Sequence, residues 1–172
     1  MKNWNDCEKL LRQNKAPNQL IKHLYLVSSV AKEISDFLIN IKVHHNQELV
    51  ICGSGLHDFG KIVFTNELSS PGSNHEDKGK ELLLSLGISS EIAQCCVSHA
   101  KWSETDKIEE LIVALADKLW KGQRNSELEL KLIDLIAKIK NQDRWDLFSD
   151  IDLFFESIAD NGTQRLEESK KY

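Results

Sequence analysis

The sequence contains little proline and little glycine, with two prolines and eight glycines among 172 residues. β-Sandwiches and small barrels need many tight turns, and these two residues commonly form such turns. Their scarcity therefore argues against both architectures and favours long helices. The chain is long enough to bury a sizeable core but short for two domains, so we predict one domain over residues 1–172.

Long apolar runs are also absent. No stretch of about 18 apolar residues is present, and the first residues lack the apolar segment and cleavage pattern of a secretory signal. We therefore predict a cytoplasmic protein that does not associate with a membrane. The four cysteines lack the paired spacing of a zinc site and are predicted to be buried free thiols. They are Cys7, Cys52, Cys95 and Cys96.

The sequence has no excess of positive charge. Its 27 acidic and 22 basic residues give a formal net charge of −5. Binding to the backbone of a nucleic acid depends on clustered lysine and arginine side chains. A nucleic-acid polymer is therefore not an expected partner.

What the sequence does contain is a series of apolar stripes with helical spacing. The longest predicted helix runs from Asn18 to about Ile41. Ser73 and Glu76 have the spacing of a capping box at the start of a later helix. The polar segment 162–172 is predicted to be frayed. Further helices are predicted before Pro17 and at about residues 47–58, 74–87, 90–99, 106–121, 127–140 and 145–159. Together these elements predict an all-α helical bundle.

Several histidines and aspartates lie on the apolar faces of these helices. His23 and His99 continue the stripes of their helices, and Asp117 stands within an apolar segment. His57 and Asp58 end the most apolar predicted helix. A buried carboxylate is costly unless a partner compensates its charge. A metal cation would do so, and mixed imidazole and carboxylate ligands suit iron, manganese, cobalt, nickel or zinc.

Each of these residues also has a structural interpretation when it is taken alone. A single histidine on an apolar face is more often a core residue that bonds a backbone carbonyl. Asp58 could pair with Lys61, and Asp117 could pair with Lys121 four residues later. The adjacent histidines His44–His45 lie in a polar stretch and are predicted to be solvated.

The order of the candidate residues resembles the HD-domain superfamily of metal-dependent phosphohydrolases. The resemblance covers about residues 19–122 and implies a single-domain helical bundle with a metal site between its central helices. It rests on a histidine followed by three motifs and a further histidine, in the order His23, His57-Asp58-x-Gly60-Lys61, His75-x-x-x-Gly79, His99 and Ala116-Asp117-Lys118-Leu119. The positions that match metal ligands of the family are His23, His57, Asp58, His75, His99 and Asp117.

The same resemblance implies how the site would work. His75 and His99 match the extra histidines of the binuclear subgroup, in which Asp58 would bridge two ions. One or two divalent transition-metal ions, with magnesium as a further candidate, would activate water for hydrolysis of a phosphate ester or anhydride. Asp58 and Lys61 are the expected catalytic residues, with Lys61 as the cation nearest a substrate phosphate.

A run of basic residues follows Asp117 and is a second candidate for phosphate binding. It consists of Lys118, Lys121 and Arg124. A solvated helix end is the alternative interpretation of such a charge run.

The predicted function is hydrolysis of a small phosphorylated metabolite, a nucleotide or dinucleotide, by a monomer or a homodimer. The six-residue pattern is similar to that of cyclic-dinucleotide phosphodiesterases, diadenosine-tetraphosphate hydrolases and a mixed-valence di-iron oxygenase. It therefore specifies a site better than a reaction. A di-iron oxygenase and a catalytically silent ligand-binding or regulatory module stay open as alternatives.

Overall fold

The computed structural model describes residues 1–170 and contains no β-strand in that range, so the all-α prediction is confirmed. In the same range, no helix combines the length and apolar character that crossing a membrane requires. The α-helices are α1 (Trp4–Gln13), α2 (Asn18–Asn40), α3 (Gln47–Leu56), α4 (Asn74–Ser85), α5 (Ser90–Ser98), α6 (Ile108–Leu119), α7 (Ser126–Lys140), α8 (Arg144–Asp160) and α9 (Gly162–Ser169). Short 3-10 helices cover Phe59–Ile62, Thr65–Leu68 and Trp102–Glu104.

Helix α2 connects the two apolar clusters of the core. Leu20, Ile21 and Leu24 pack in one cluster with side chains of α1, α3, α4 and α5. The rest of the buried face of α2, from Leu26 to Leu38, packs in the other cluster, to which α6, α7 and α8 contribute. Helix α3 packs against α2, α5 and α6 and is therefore the central helix that its apolar sequence predicts. All four cysteines are buried and free, as predicted.

The end of α3 differs slightly from the prediction. The α-helix ends at Leu56, and the chain turns at His57 and Asp58 into the 3-10 helix Phe59–Ile62. The tighter helix packs against α4. This turn places His57 and Asp58 between α3 and the 3-10 helix rather than along the side of α3.

The predicted capping box at the start of α4 does not form. The side chain of Ser73 makes no capping hydrogen bond. The carboxylate of Glu67 instead accepts hydrogen bonds from the backbone N–H groups of Asn74 and His75, each at 3.2 Å. A carboxylate at this end satisfies free N–H groups and interacts favourably with the helix dipole. Glu67 therefore replaces Ser73 as the cap, although it lies outside the local capping motif.

The loop before α3 also differs from the prediction of two solvated histidines. His44 is exposed, but the ring of His45 contacts the Ser35 hydroxyl at 2.7 Å and the Val43 carbonyl oxygen at 3.0 Å. His45 is therefore a structural residue of the loop.

The C-terminal segment is not frayed over Gly162–Ser169, which form α9. A Cβ atom on the first residue of α9 would lie 2.1 Å from the backbone nitrogen of Gly122, so only glycine permits this contact. Further along, the guanidinium of Arg165 lies 3.7 Å from the carboxylate of Glu33 on α2. These long-range contacts hold a polar helix on the bundle. The last two residues of the predicted tail lie outside the described residues.

Candidate metal centre

Six side chains from five segments of the chain meet between the central helices. The segments are α2, the turn after α3, the first turn of α4, the end of α5 and the last turns of α6. The structure brings together all six predicted metal-ligand candidates, which are His23, His57, Asp58, His75, His99 and Asp117. We call this group the His-Asp cluster.

Asp58 lies at the centre of the His-Asp cluster. Its Oδ2 atom is 3.2 Å from Nε2 of His23 and 3.6 Å from Nε2 of His57. Its Oδ1 atom is 3.0 Å from Nε2 of His75 and 3.7 Å from Nε2 of His99. Each carboxylate oxygen therefore faces a different pair of imidazoles. This arrangement is what a bridging carboxylate requires.

Asp117 lies on the same side of the cluster as Oδ2 of Asp58. Its Oδ1 atom lies 3.5 Å from Nε2 of His57 and 3.7 Å from Nε2 of His23. Two overlapping groups have ligand atoms that lie within 4.8 Å of one another. One consists of His23, His57 and Asp117, and the other of His57, Asp58 and His99.

Hydrogen bonds at the other ring nitrogen orient two of these imidazoles. Nδ1 of His57 donates to the carbonyl oxygen of Ser54 at 2.7 Å, and Nδ1 of His99 donates to that of Cys95 at 3.1 Å. Because a carbonyl oxygen only accepts, Nδ1 must carry the proton. In the neutral ring Nε2 then presents a lone pair to the cluster, as a metal ligand does.

The part of the cluster that the structure describes contains buried nitrogen and oxygen atoms without a hydrogen-bond partner. Among the described residues, Nε2 of His23, His57 and His75 and Oδ1 of Asp58 are buried without a hydrogen-bond partner. Lone pairs that face one another do not satisfy one another, and such buried groups are costly. A divalent cation would satisfy all of them at once, so the donor set fits a metal ion.

A comparison with known families agrees with this geometry. A family model described as HD domain matches residues 20–121, more than half of the chain, and the match includes the whole His-Asp cluster. The chain belongs to the HD domain family. HD domains bind divalent metals, and their superfamily consists mostly of metal-dependent hydrolases. No solved structure matches the chain.

The electrostatics of this HD domain favour the protonation states that metal ligands need at three residues of the cluster, Asp58, Asp117 and His99. Burial raises the pKa of Asp58, but the neighbouring His57 and His23 outweigh it and hold that pKa well below its usual range. The pKa of Asp117 is also lowered, because His57 outweighs burial there. Burial lowers the pKa of His99 to about 4, and His57 adds to the effect. Both carboxylates are therefore ionised and His99 is neutral near pH 7.

His57 responds in the opposite direction. Burial lowers its pKa, but Asp58 and Asp117 raise it by more, and the net shift is upward. A proton and a metal cation therefore compete for Nε2 of His57.

Glu67 is a functional candidate that the sequence analysis missed. Its side chain is 1% exposed, and it accepts a hydrogen bond from Nδ1 of His75 at 2.6 Å. Burial raises the pKa of Glu67, but hydrogen bonds from His75 and Asn74 outweigh it and hold the pKa at about 2. An ionised carboxylate behind a metal-binding imidazole orients the ring and increases its basicity. Glu67 lies in the short 3-10 helix Thr65–Leu68, in a polar stretch without amphipathic periodicity, so no local pattern marks it.

Two of the predicted basic residues contact the cluster. The ammonium nitrogen of Lys61 lies 2.7 Å from Oδ2 of Asp58, and its side chain is 19% exposed. The ammonium nitrogen of Lys118 lies 3.5 Å from Oδ2 of Asp117. Both cations therefore lie beside the carboxylates of the cluster.

Arg124 does not join them. Its guanidinium donates two hydrogen bonds of 2.8 Å to Glu129 and one of 2.5 Å to Asp152. With these carboxylates already bound, the arrangement argues against the predicted phosphate-binding role of Arg124. Lys121 is partly exposed just after α6, and its role stays a prediction.

Proposed function

We propose that this HD-domain protein is a metal-dependent phosphohydrolase that acts on a small phosphorylated metabolite, a nucleotide or dinucleotide. The observation that carries the proposal is the position of Asp58, whose two oxygens face different pairs of imidazoles. The lysine next to this carboxylate, Lys61, supplies the cation that phosphoryl transfer needs. The negative net charge of the chain favours a small substrate over a polymer.

In this proposal the two sides of the cluster hold two metal ions. His23, His57 and Asp117 bind on one side, His75 and His99 bind on the other, and Asp58 bridges. Divalent ions bound there would activate water and neutralise charge on phosphoryl oxygens.

The remaining groups of the site position these ligands. Glu67 holds the Nδ1 proton of His75, and the Ser54 carbonyl oxygen does the same for His57. These hydrogen bonds orient the two imidazoles toward the proposed metal ions.

The experiment that tests the function combines metal analysis with a substrate screen. Protein purified without chelator or nickel affinity is expected to carry two ions per chain by mass spectrometry. It should release phosphate from some members of a panel of phosphomonoesters, phosphodiesters and dinucleotides. His75→Ala and His99→Ala should each reduce the metal content from two ions to one, because both remove ligands from the same side of the cluster.

His44→Ala is the matched control, since His44 is exposed and lies outside the cluster. It should keep the metal content and rate of the wild type. The absence of metal-dependent phosphate release from metal-loaded protein would contradict the proposal. Turnover that requires molecular oxygen would instead support the oxygenase, and bound metal without any turnover would support a binding module.

The Lys61→Ala variant is expected to keep its metal ions and to lose kcat/KM. Lys61 lies beside Asp58, where it can offset the negative charge that develops on a phosphoryl group. Loss of one such oriented cation should raise the barrier by about 2–4 kcal/mol. Metal content and steady-state kinetics would be compared with those of Lys138→Ala, which removes an exposed lysine at the end of α7. Equal kcat/KM values for wild type and Lys61→Ala would exclude this role.

A further inference from the structure

A pocket of about 540 Å³ adjoins the His-Asp cluster. His23 and Lys61 line it from the cluster, Leu68 and Trp120 contribute apolar surface, and Lys170 borders it from the residue that follows α9. Sites for small molecules usually have volumes of about 300–1,000 Å³. The pocket therefore has room for a metabolite that extends beyond the phosphate bound at the cluster.

The charge of this pocket is one-sided. Among the described residues, two lysines line it and no carboxylate residue does, although Lys61 is paired with Asp58 beside the pocket. A second polar pocket, by contrast, combines three lysines with three glutamates, so its charges balance. The pocket next to the cluster is therefore suited to an anionic ligand.

The position of Lys170 is set by α9. The start of α9 is packed against Gly122, Arg165 pairs with Glu33, and Leu166 packs on the larger apolar cluster. The backbone N–H of Lys170 donates to the carbonyl oxygen of Glu167, which ends the helix in a defined place. The fold thus places the backbone of Lys170 at the edge of the pocket, and no local sequence pattern marks this position.

Trp120 supplies an unpaired donor at the same pocket. The residue is 7% exposed, its ring centroid lies 5.0 Å from that of His23, and its Nε1 atom is buried without a hydrogen-bond partner. An indole N–H only donates, so the cation that would satisfy the orphaned atoms of the cluster cannot satisfy this one. An acceptor oxygen, from a ligand or from water, would satisfy it.

We propose that the pocket binds the part of the substrate beyond the hydrolysed phosphate and selects substrates with a second anionic group, a phosphate or a carboxylate. Lys170 binds this second group, and the indole N–H of Trp120 donates to a substrate oxygen. The inference rests on the proposed function, because it places the hydrolysed phosphate at the His-Asp cluster.

Binding of phosphonates that hydrolysis cannot cleave tests the proposal without turnover. The probes are hexylphosphonate, 6-phosphonohexanoate and 1,6-hexanediphosphonate, titrated calorimetrically into the metal-loaded protein, with the matching three-carbon series. Wild type should bind at least one double anion about tenfold more tightly than the alkylphosphonate of equal length, the gain expected of one charged contact. Tighter binding of the diphosphonate identifies the second group as a phosphate, and tighter binding of the phosphonocarboxylate identifies it as a carboxylate.

Two variants assign the preference to residues. Lys170→Met should abolish the preference and leave alkylphosphonate binding unchanged, whereas Lys138→Met, at an exposed lysine of α7, should keep it. Trp120→Phe keeps an aromatic ring against His23 but removes the N–H. It should weaken all probes about three- to tenfold, the range for one hydrogen bond, at unchanged metal content.

The outcomes separate this inference from the proposed function. No preference in wild type, or a preference that survives in Lys170→Met, would overturn the role of Lys170. Wild-type affinities in Trp120→Phe would overturn the role of the indole. If the protein releases phosphate but does not prefer double anions, only this inference is contradicted. If the protein prefers double anions but releases no phosphate in the substrate screen, the proposed function is contradicted instead.

Discussion

The Asp58→Asn variant is expected to lose most of its bound metal and at least about a thousandfold of kcat/KM, more than the 10–100-fold typical of residues behind the ligands. Four imidazole Nε2 atoms lie within 3.7 Å of the two oxygens of Asp58. No other side chain of the cluster contacts both of its sides through separate carboxylate oxygens. Asparagine keeps the volume of aspartate but removes the charge and replaces one acceptor with a donor.

Metal content by mass spectrometry and phosphate release are the measurements for this variant. Asp36→Asn is the matched control, because the same substitution there affects only a pair with Lys32 on α2 and a 3.4 Å hydrogen bond from Gln47, both outside the His-Asp cluster. Thermal unfolding of both variants separates a local loss of the site from a global loss of structure. Asp58→Asn protein with the metal content and rate of the wild type would rule out a bridging role for Asp58.

The sequence contains most of the information about the cluster because its members follow helical periodicity. His23, His99 and Asp117 stand on the apolar faces of helices, where burial is set by residues three and four positions away. Their convergence then follows from packing these faces together. The His57-Asp58 pair is similar, since the apolar helix before it has to lie in the centre of the bundle.

The contacts that complete the site are not local, and this is why the sequence analysis missed them. Glu67 reaches His75 from the 3-10 helix Thr65–Leu68, and its role depends on how that segment folds over the start of α4. Lys170 reaches the pocket only because α9 packs on the bundle through its initial glycine. Arg124 was predicted from charge alone, whereas the carboxylates that bind it lie on α7 and α8.

The Gly60→Ala variant is expected to be less stable by about 3 kcal/mol, at the upper end of overpacking effects, and to bind metal more weakly. A Cβ atom on Gly60 would lie 2.0 Å from the carbonyl oxygen of His75 and 2.8 Å from the backbone nitrogen of Gly79. Both atoms belong to the backbone of α4 and cannot rotate away. The 3-10 helix that follows Asp58 would have to separate from α4, which carries His75. The distance between these two side chains, now 3.0 Å at its shortest, would increase.

Urea unfolding and metal analysis measure the two effects, and two further glycine substitutions show whether contact or backbone conformation causes them. Gly87→Ala places a Cβ atom in open space at a residue with φ of 76°, so it should cost about 1 kcal/mol through backbone strain and leave metal binding intact. Gly79→Ala places a Cβ atom on the α4 side of the same interface, 2.9 Å from the backbone nitrogen of Gly60. Its effect on stability and metal binding should be intermediate. It therefore stays measurable if Gly60→Ala does not fold. If Gly60→Ala had the unfolding midpoint and metal content of the wild type, the close contact between α4 and the 3-10 helix would not be what holds Asp58 against His75.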